Sequence, residues 1–74
     1  MSTHPGKLLA ELIKPETQKS FAARLGVSHY GLWKLLNERQ RVGPRMAERL
    51  AKTTGKSARY WLMLQLEHDL AGRS

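Results

Sequence analysis

The chain is predicted to be all-α, a compact single domain of five short helices. Apolar residues recur at three- and four-residue spacing, short Gly, Pro, Ser and Thr breaks divide them into five stretches, and nothing reads as a strand. With 74 residues the whole length, 1–74, makes one domain, and a domain this small buries a modest fraction of its surface. It has no cysteine, which excludes a disulfide staple, a thiolate nucleophile and a cysteine-based zinc site. Extra support is therefore expected from helix packing and from a second copy of the chain.

The first helix is expected over about 7–14, where Leu8, Leu9, Leu12 and Ile13 share one face and Pro15 disfavours continuation. His4, beside Pro5-Gly6, is expected to brace the N-terminus against the core. Thr17 can cap the second helix by accepting a free backbone N–H, and Phe21, Ala22 and Leu25 follow at helical spacing until Gly26. Ser28 caps the third, which turns Leu32, Leu35 and Leu36 inward and leaves His29, Tyr30, Trp33 and Lys34 on the remaining surface. Two aromatics and a lysine on the open side of a short helix have little purpose in a monomer that needs only solubility.

Gly43-Pro44 opens the fourth helix, since proline is tolerated where the first N–H has no partner, and Met46, Ala47, Leu50 and Ala51 form its buried stripe up to Gly55. Ser57 caps the fifth, over about 57–71, whose Tyr60, Trp61, Leu62, Met63, Leu64, Leu66 and Leu70 cover far more than one stripe. Leu62, Leu66 and Leu70 form one row, and Trp61 and Leu64 lie nearly opposite. One row is expected to join the core and the other to meet a partner chain, and the helical wheel does not say which. All five are therefore dimer-interface candidates.

Thirteen Lys and Arg against six Asp and Glu give a net charge of +7. Most of the excess lies in Lys34, Arg39, Arg41, Arg45, Arg49, Lys52, Lys56 and Arg59, opposed in that segment only by Glu38 and Glu48, while the C-terminal end is slightly acidic. Such a surface gathers polyanions by releasing their counterions, although a charge run is equally well a solvated face.

The stretch over about 17–37 decides between these. It reads as a helix, a glycine-centred turn and a second helix. Ala22 is small where the second helix crosses above it, Gly26 turns the chain, Val27 plugs the angle, and Leu32 and Leu35 complete the shared core. Those positions explain packing and touch nothing outside the protein. Packing does not explain Gln18, Lys19, Ser28, His29, Tyr30, Trp33, Lys34, Asn37, Arg39 and Arg41, which are the candidate contacts to double-stranded DNA. Gln18 and Lys19 stand at a helix N-terminus suited to a phosphate, and Asn37, Arg39 and Arg41 follow the second helix where they can grip the backbone. Ser28 begins the recognition helix. His29, Tyr30 and Trp33 can read bases by hydrogen bonds or by contact with thymine methyls, Trp33 being equally suited to packing against the neighbouring loop, and Lys34 reaches a guanine or a phosphate.

Other classes fit less well. His4, His29 and His68 lie far apart, without a paired carboxylate or nucleophile for acid–base or covalent catalysis and without zinc-ligand spacing, so neither an enzyme nor a metal or other cofactor is expected. The basic residues are spread over several helices, unlike a membrane-active amphipathic peptide, and no stretch is apolar enough for a membrane span or signal peptide. RNA modules of the aromatic-sheet or GXXG type are not present in the pattern.

His4-Pro5-Gly6 with Leu8-Leu9, Ala22 to Val27 with Leu35-Leu36-Asn37, and Trp61-Leu62 with Leu64-Gln65 and Asp69-Leu70 together carry a family resemblance. Over nearly its whole length the chain resembles the HigA-type antitoxins, a branch of the phage-repressor-like (Xre) helix-turn-helix proteins. The resemblance implies a homodimer in the bacterial cytoplasm, associated with the nucleoid, that binds a palindromic operator, represses its own operon and neutralises a HigB-type toxin that degrades mRNA on ribosomes. Because some such proteins have no toxin, it equally implies an orphan or phage- or plasmid-borne Xre regulator. The sequence departs from the common pattern at Glu38, where a glycine is usual, and in the short Lys14-Pro15-Glu16 link. With Asp69-Leu70 near the chain's end, any toxin contact is expected on the folded surface.

Overall fold

The computed structural model describes residues 4–72. They form α1 (Pro5–Leu12), α2 (Gln18–Leu25), α3 (His29–Leu36), α4 (Pro44–Thr54) and α5 (Ala58–Ala71), with no strand among the described residues. Three helices start in the same way: the hydroxyls of Thr17, Ser28 and Ser57 accept the backbone N–H of Ser20, Gly31 and Tyr60 at 3.1, 2.9 and 3.1 Å. Each bond satisfies one of the donors that a helix N-terminus leaves free. Pro44 follows Gly43 and starts α4 with no side-chain cap.

The first helix sits two residues earlier than the apolar pattern alone suggests. His4 acts as its cap, Nδ1 accepting the Gly6 N–H at 2.9 Å, and Pro5 occupies the first helical position, where it lacks no needed donor. The helix stops at Leu12 because Ile13 leaves helical geometry while its N–H still bonds Leu9 O, with Pro15 barring a further turn.

Helix α1 packs on α3 and α5, α2 on α3 and α4, and α4 on α5. Between them lie Leu9, Ile13, Phe21, Ala22, Leu25, Leu32, Leu35, Val42, Ala47, Leu50 and Trp61, all buried. Gly6 makes the closest approach. A Cβ there would lie 2.1 Å from the Leu35 carbonyl oxygen, so only glycine lets α1 rest on the end of α3.

Helix α5 settles the choice between its two rows. Trp61 has no exposed surface and its indole N–H donates to Thr54 Oγ1 at 3.3 Å, which satisfies the one polar group of a buried tryptophan. Trp61 is thus removed from the partner-facing candidates: a side chain fully enclosed by its own protomer has nothing to offer another. Leu62 and Leu64 are half-buried against the core, whereas Met63, Leu66 and Leu70 are 45%, 49% and 58% exposed.

The ends of α2 and α3 are built alike and closed by different residues. At α2, Val27 N–H bonds Ala22 O and Gly26 N–H bonds Ala23 O; at α3, Arg39 N–H bonds Lys34 O and Glu38 N–H bonds Leu35 O. This paired closure needs a left-handed residue. Gly26 supplies it at φ 86°, and at α3 the place falls to Glu38 at φ 61°, the one non-glycine residue with positive φ among those described. Glu38 therefore gives α3 the same closure that Gly26 gives α2, with the strain of a left-handed non-glycine residue.

Two outcomes follow for stability. Replacing Glu38→Gly relieves this strain and is expected to raise unfolding free energy by about 1 kcal/mol, or about 4–8 °C in Tm, in a thermal melt. The second concerns His4, whose ring is buried and meets His68 edge-on at 4.7 Å. Burial, then the His68 charge, holds its pKa below the ordinary imidazole value, against weaker opposing pulls from Glu38 and Asp69. The neutral ring is the capping form, so the folded state releases a proton that the unfolded chain binds. Stability is therefore complete above about pH 6.5 and declines as pH falls through the lowered folded pKa. Melts at pH 8 and pH 5 should show a smaller drop for His4→Asn, which caps without titrating; an unchanged drop would assign the pH dependence elsewhere.

Candidate nucleic-acid interface

The α2–turn–α3 pair positions the site. Ala22 is buried under α3, Gly26 turns the chain, and Val27 is half-buried against the core, so α3 leaves the crossing with Leu32 and Leu35 inward and its other side open. On that open side the structure brings together His29, Tyr30, Trp33 and Lys34. Tyr30 and Trp33 are 66% and 42% exposed, and their rings stack within 10° of parallel with centroids 5.8 Å apart. The Lys34 ammonium lies 5.3 Å from the Tyr30 ring centroid. His29 Nε2 faces Gln18 Oε1 across 3.4 Å, which ties the start of α2 to the start of α3.

Several candidates also serve the fold. The Ser28 hydroxyl is the α3 cap, and the Asn37 amide donates to the Trp33 carbonyl at 2.9 Å, closing the last turn. Lys19 and Arg39 are exposed. Arg41 is exposed as well, and its guanidinium pairs with Asp69 at 2.6 Å. That ion pair is the outer end of a relay: Asp69 Oδ1 accepts from Gln65 Nε2 at 3.0 Å, and Gln65 Oε1 accepts the Val42 N–H at 2.9 Å. Gln65 is almost fully buried. It holds the segment carrying Arg39 and Arg41 against α5, at a separation no local pattern would reveal.

The basic segment divides into two uses. Arg49, exposed on α4, reaches across the surface to α2, Nη1 donating to the carbonyls of Leu25 and Gly26 at 3.2 and 2.9 Å, so its charge complements the C-terminal end of α2. Arg24 similarly bonds the Thr53 carbonyl and pairs with Glu16. Arg45 is exposed at the start of α4 and lines a groove with Arg41 and Gln40 beside the α2–α3 turn. The sequence offered no sign beyond its charge that Arg45 flanks α3. Among the described residues no cluster of three or more His, Asp or Glu can hold a metal, and no helix is long and apolar enough to cross a membrane.

No family model matches the chain, and no curated protein matches it. Solved structures do. An addiction module antidote protein of a HigA family from Coxiella burnetii is 30% identical and superimposes with a TM-score of 0.87, over 95% of this chain and 80% of that one. The Pseudomonas aeruginosa antitoxin HigA, solved with the higBA promoter, is 29% identical with a TM-score of 0.90, over 99% of this chain and 83% of its own. A further Pseudomonas aeruginosa protein, solved in complex with its 18-base-pair operator DNA, is 29% identical with a TM-score of 0.88, over 99% and 82%.

The relay can be tested directly. Gln65→Leu preserves bulk and leaves the buried Val42 N–H without an acceptor, so it should lower unfolding free energy by about 1–3 kcal/mol in urea titration. A change within about 0.5 kcal/mol, the ordinary range of a neutral surface substitution, would mean that water replaces the bond.

Proposed function

The chain belongs to the HigA family of antitoxins, and from that premise we propose that it is a sequence-specific repressor that binds double-stranded operator DNA as a homodimer. In this reading the five helices act as one DNA-binding domain in the bacterial cytoplasm, at the nucleoid. The protein represses its own promoter and neutralises an mRNA-cleaving toxin of the HigB type. The similar structures are antitoxins and DNA-bound regulators, and no enzymatic activity is assigned. The observation that carries the proposal is the open face of α3, where aromatic and basic side chains with no packing role stand at the start of a helix held by the α2 crossing. The similar proteins bound to promoter and operator DNA support it.

On this reading α3 enters the major groove with His29, Tyr30, Trp33 and Lys34 toward the bases. Gln18, Lys19, Ser28, Asn37, Arg39 and Arg41 meet the phosphate backbone, with Arg45 alongside. The bare α5 row of Leu66 and Leu70, with Leu62 and Leu64 at its margin, supplies the dimer contact, and Met63 extends it. Such a dimer sets two α3 helices about 34–36 Å apart on one face of a palindrome.

The test is a titration of purified protein against its own upstream promoter and against scrambled DNA, at two salt concentrations. Preference for the promoter is expected, with a protected region of two-fold symmetry. Equal and steeply salt-dependent binding to both would reduce the basic surface to a general polyanion collector. Two variants separate the contacts. Tyr30→Ala should weaken promoter binding by about 1–3 kcal/mol and leave random DNA nearly unaffected, whereas Arg39→Ala should weaken both and lower the salt slope by about one.

A further inference from the structure

The polar groups at the front of α3 are partly engaged within the fold. The Ser28 hydroxyl accepts the Gly31 N–H, the Asn37 amide donates to the Trp33 carbonyl, His29 Nε2 faces Gln18 Oε1, and the Lys34 ammonium lies over the Tyr30 ring. Beside them the nearly parallel rings of Tyr30 and Trp33, with His29, line a shallow, open saucer whose surface is mostly apolar. Tyr30 touches both the Trp33 ring and the Lys34 cation, contacts that favour this placement of its ring.

The edges of base pairs in the major groove show donors and acceptors, and one apolar group, the pyrimidine 5-methyl of thymine. A methylated cytosine carries the same group. An aromatic plate set against bare donors and acceptors strips their water and returns no hydrogen bond, whereas a methyl set against it buries apolar surface on both sides. On the reading that α3 enters the major groove, we propose that the Tyr30–Trp33 plate takes a pyrimidine 5-methyl group. The half-site is then selected at that step by the presence of a methyl rather than by a hydrogen-bond pattern. Tyr30 is a specificity-determining residue through its ring, and its hydroxyl is dispensable.

The experiment selects duplexes from a random-sequence pool with the full chain. The tightest is then remade with each thymine replaced in turn by deoxyuridine and each cytosine by 5-methylcytosine. Removing the methyl is expected to weaken binding about three- to fivefold at one or two positions of each half-site. The loss should be the same at low and high salt, because no charge changes. It should disappear in Tyr30→Ala, an exposed position where the fold is undisturbed, and persist in Tyr30→Phe. Should deoxyuridine be neutral and 5-methylcytosine strengthen binding by a similar factor, the methyl is that of modified cytosine and the proposal stands with that source. Neutrality in both arms, with the selected duplex still preferred over scrambled DNA, overturns the methyl reading and leaves DNA binding intact. Loss of the effect in Tyr30→Phe assigns it to the hydroxyl and overturns the proposal as well. A pool that yields no preferred duplex overturns the DNA-binding reading itself.

Discussion

Contact between Gly6 and the carbonyl of Leu35 fixes how closely α1 can lie on α3, and much of the molecule follows from that distance. With α1 drawn in, Leu9 is fully enclosed and His4 is buried where it caps its helix and meets His68 of α5. The same Leu35 carbonyl accepts the Glu38 N–H, so the packing of α1 and the exit of α3 share an atom. Beyond that exit the chain runs through Arg39 and Arg41 to Val42, whose N–H is taken by buried Gln65. The first helix, the end of the recognition helix and the last helix are thus linked through a short series of backbone and amide contacts.

Much of this was legible in the sequence where the determining interaction is local. Thr17, Ser28 and Ser57 cap the residues three positions on, and Gly26 and Gly55 turn the chain by their own φ, so the helix boundaries around them could be read from neighbouring residues. The start of α1 was missed because its cap is a histidine, a residue with no ordinary capping preference, made effective here by burial. The rows of α5 were seen to be opposed, yet periodicity gives the angle between rows and not the direction of the core. Trp61 therefore remained grouped with Leu66 and Leu70 until packing separated them. The candidate contacts on α3 could be named as a set, but the stacking of Tyr30 on Trp33 and the placement of Lys34 depend on rotamers that the residue order does not specify. Gln65 and Arg49 each bond a backbone group 23 residues away, a distance at which sequence spacing carries no signal.

Part of the net charge of +7 also serves the fold. Arg49 rests on the end of α2, Arg24 on Glu16 and the Thr53 carbonyl, and Arg41 on Asp69. The outward cations around α3 are placed at its flanks, with Lys19 before it and Arg39, Arg41 and Arg45 after it. Charge thus frames the aromatic front of the helix, a division of labour in which long-range attraction and short-range selection reside in different side chains.

The two tryptophans occupy opposite environments, Trp61 wholly enclosed and Trp33 open on the face of α3. The chain therefore carries two intrinsic optical reporters with separate meanings. Emission from Trp61 is that of an indole shielded from water and shifts to the red when the core opens, while Trp33 is accessible to acrylamide in the folded protein and is shielded by whatever covers α3. Selective quenching can thus follow occupancy of that face and integrity of the fold in one unlabelled sample, with each tryptophan serving as the control for the other.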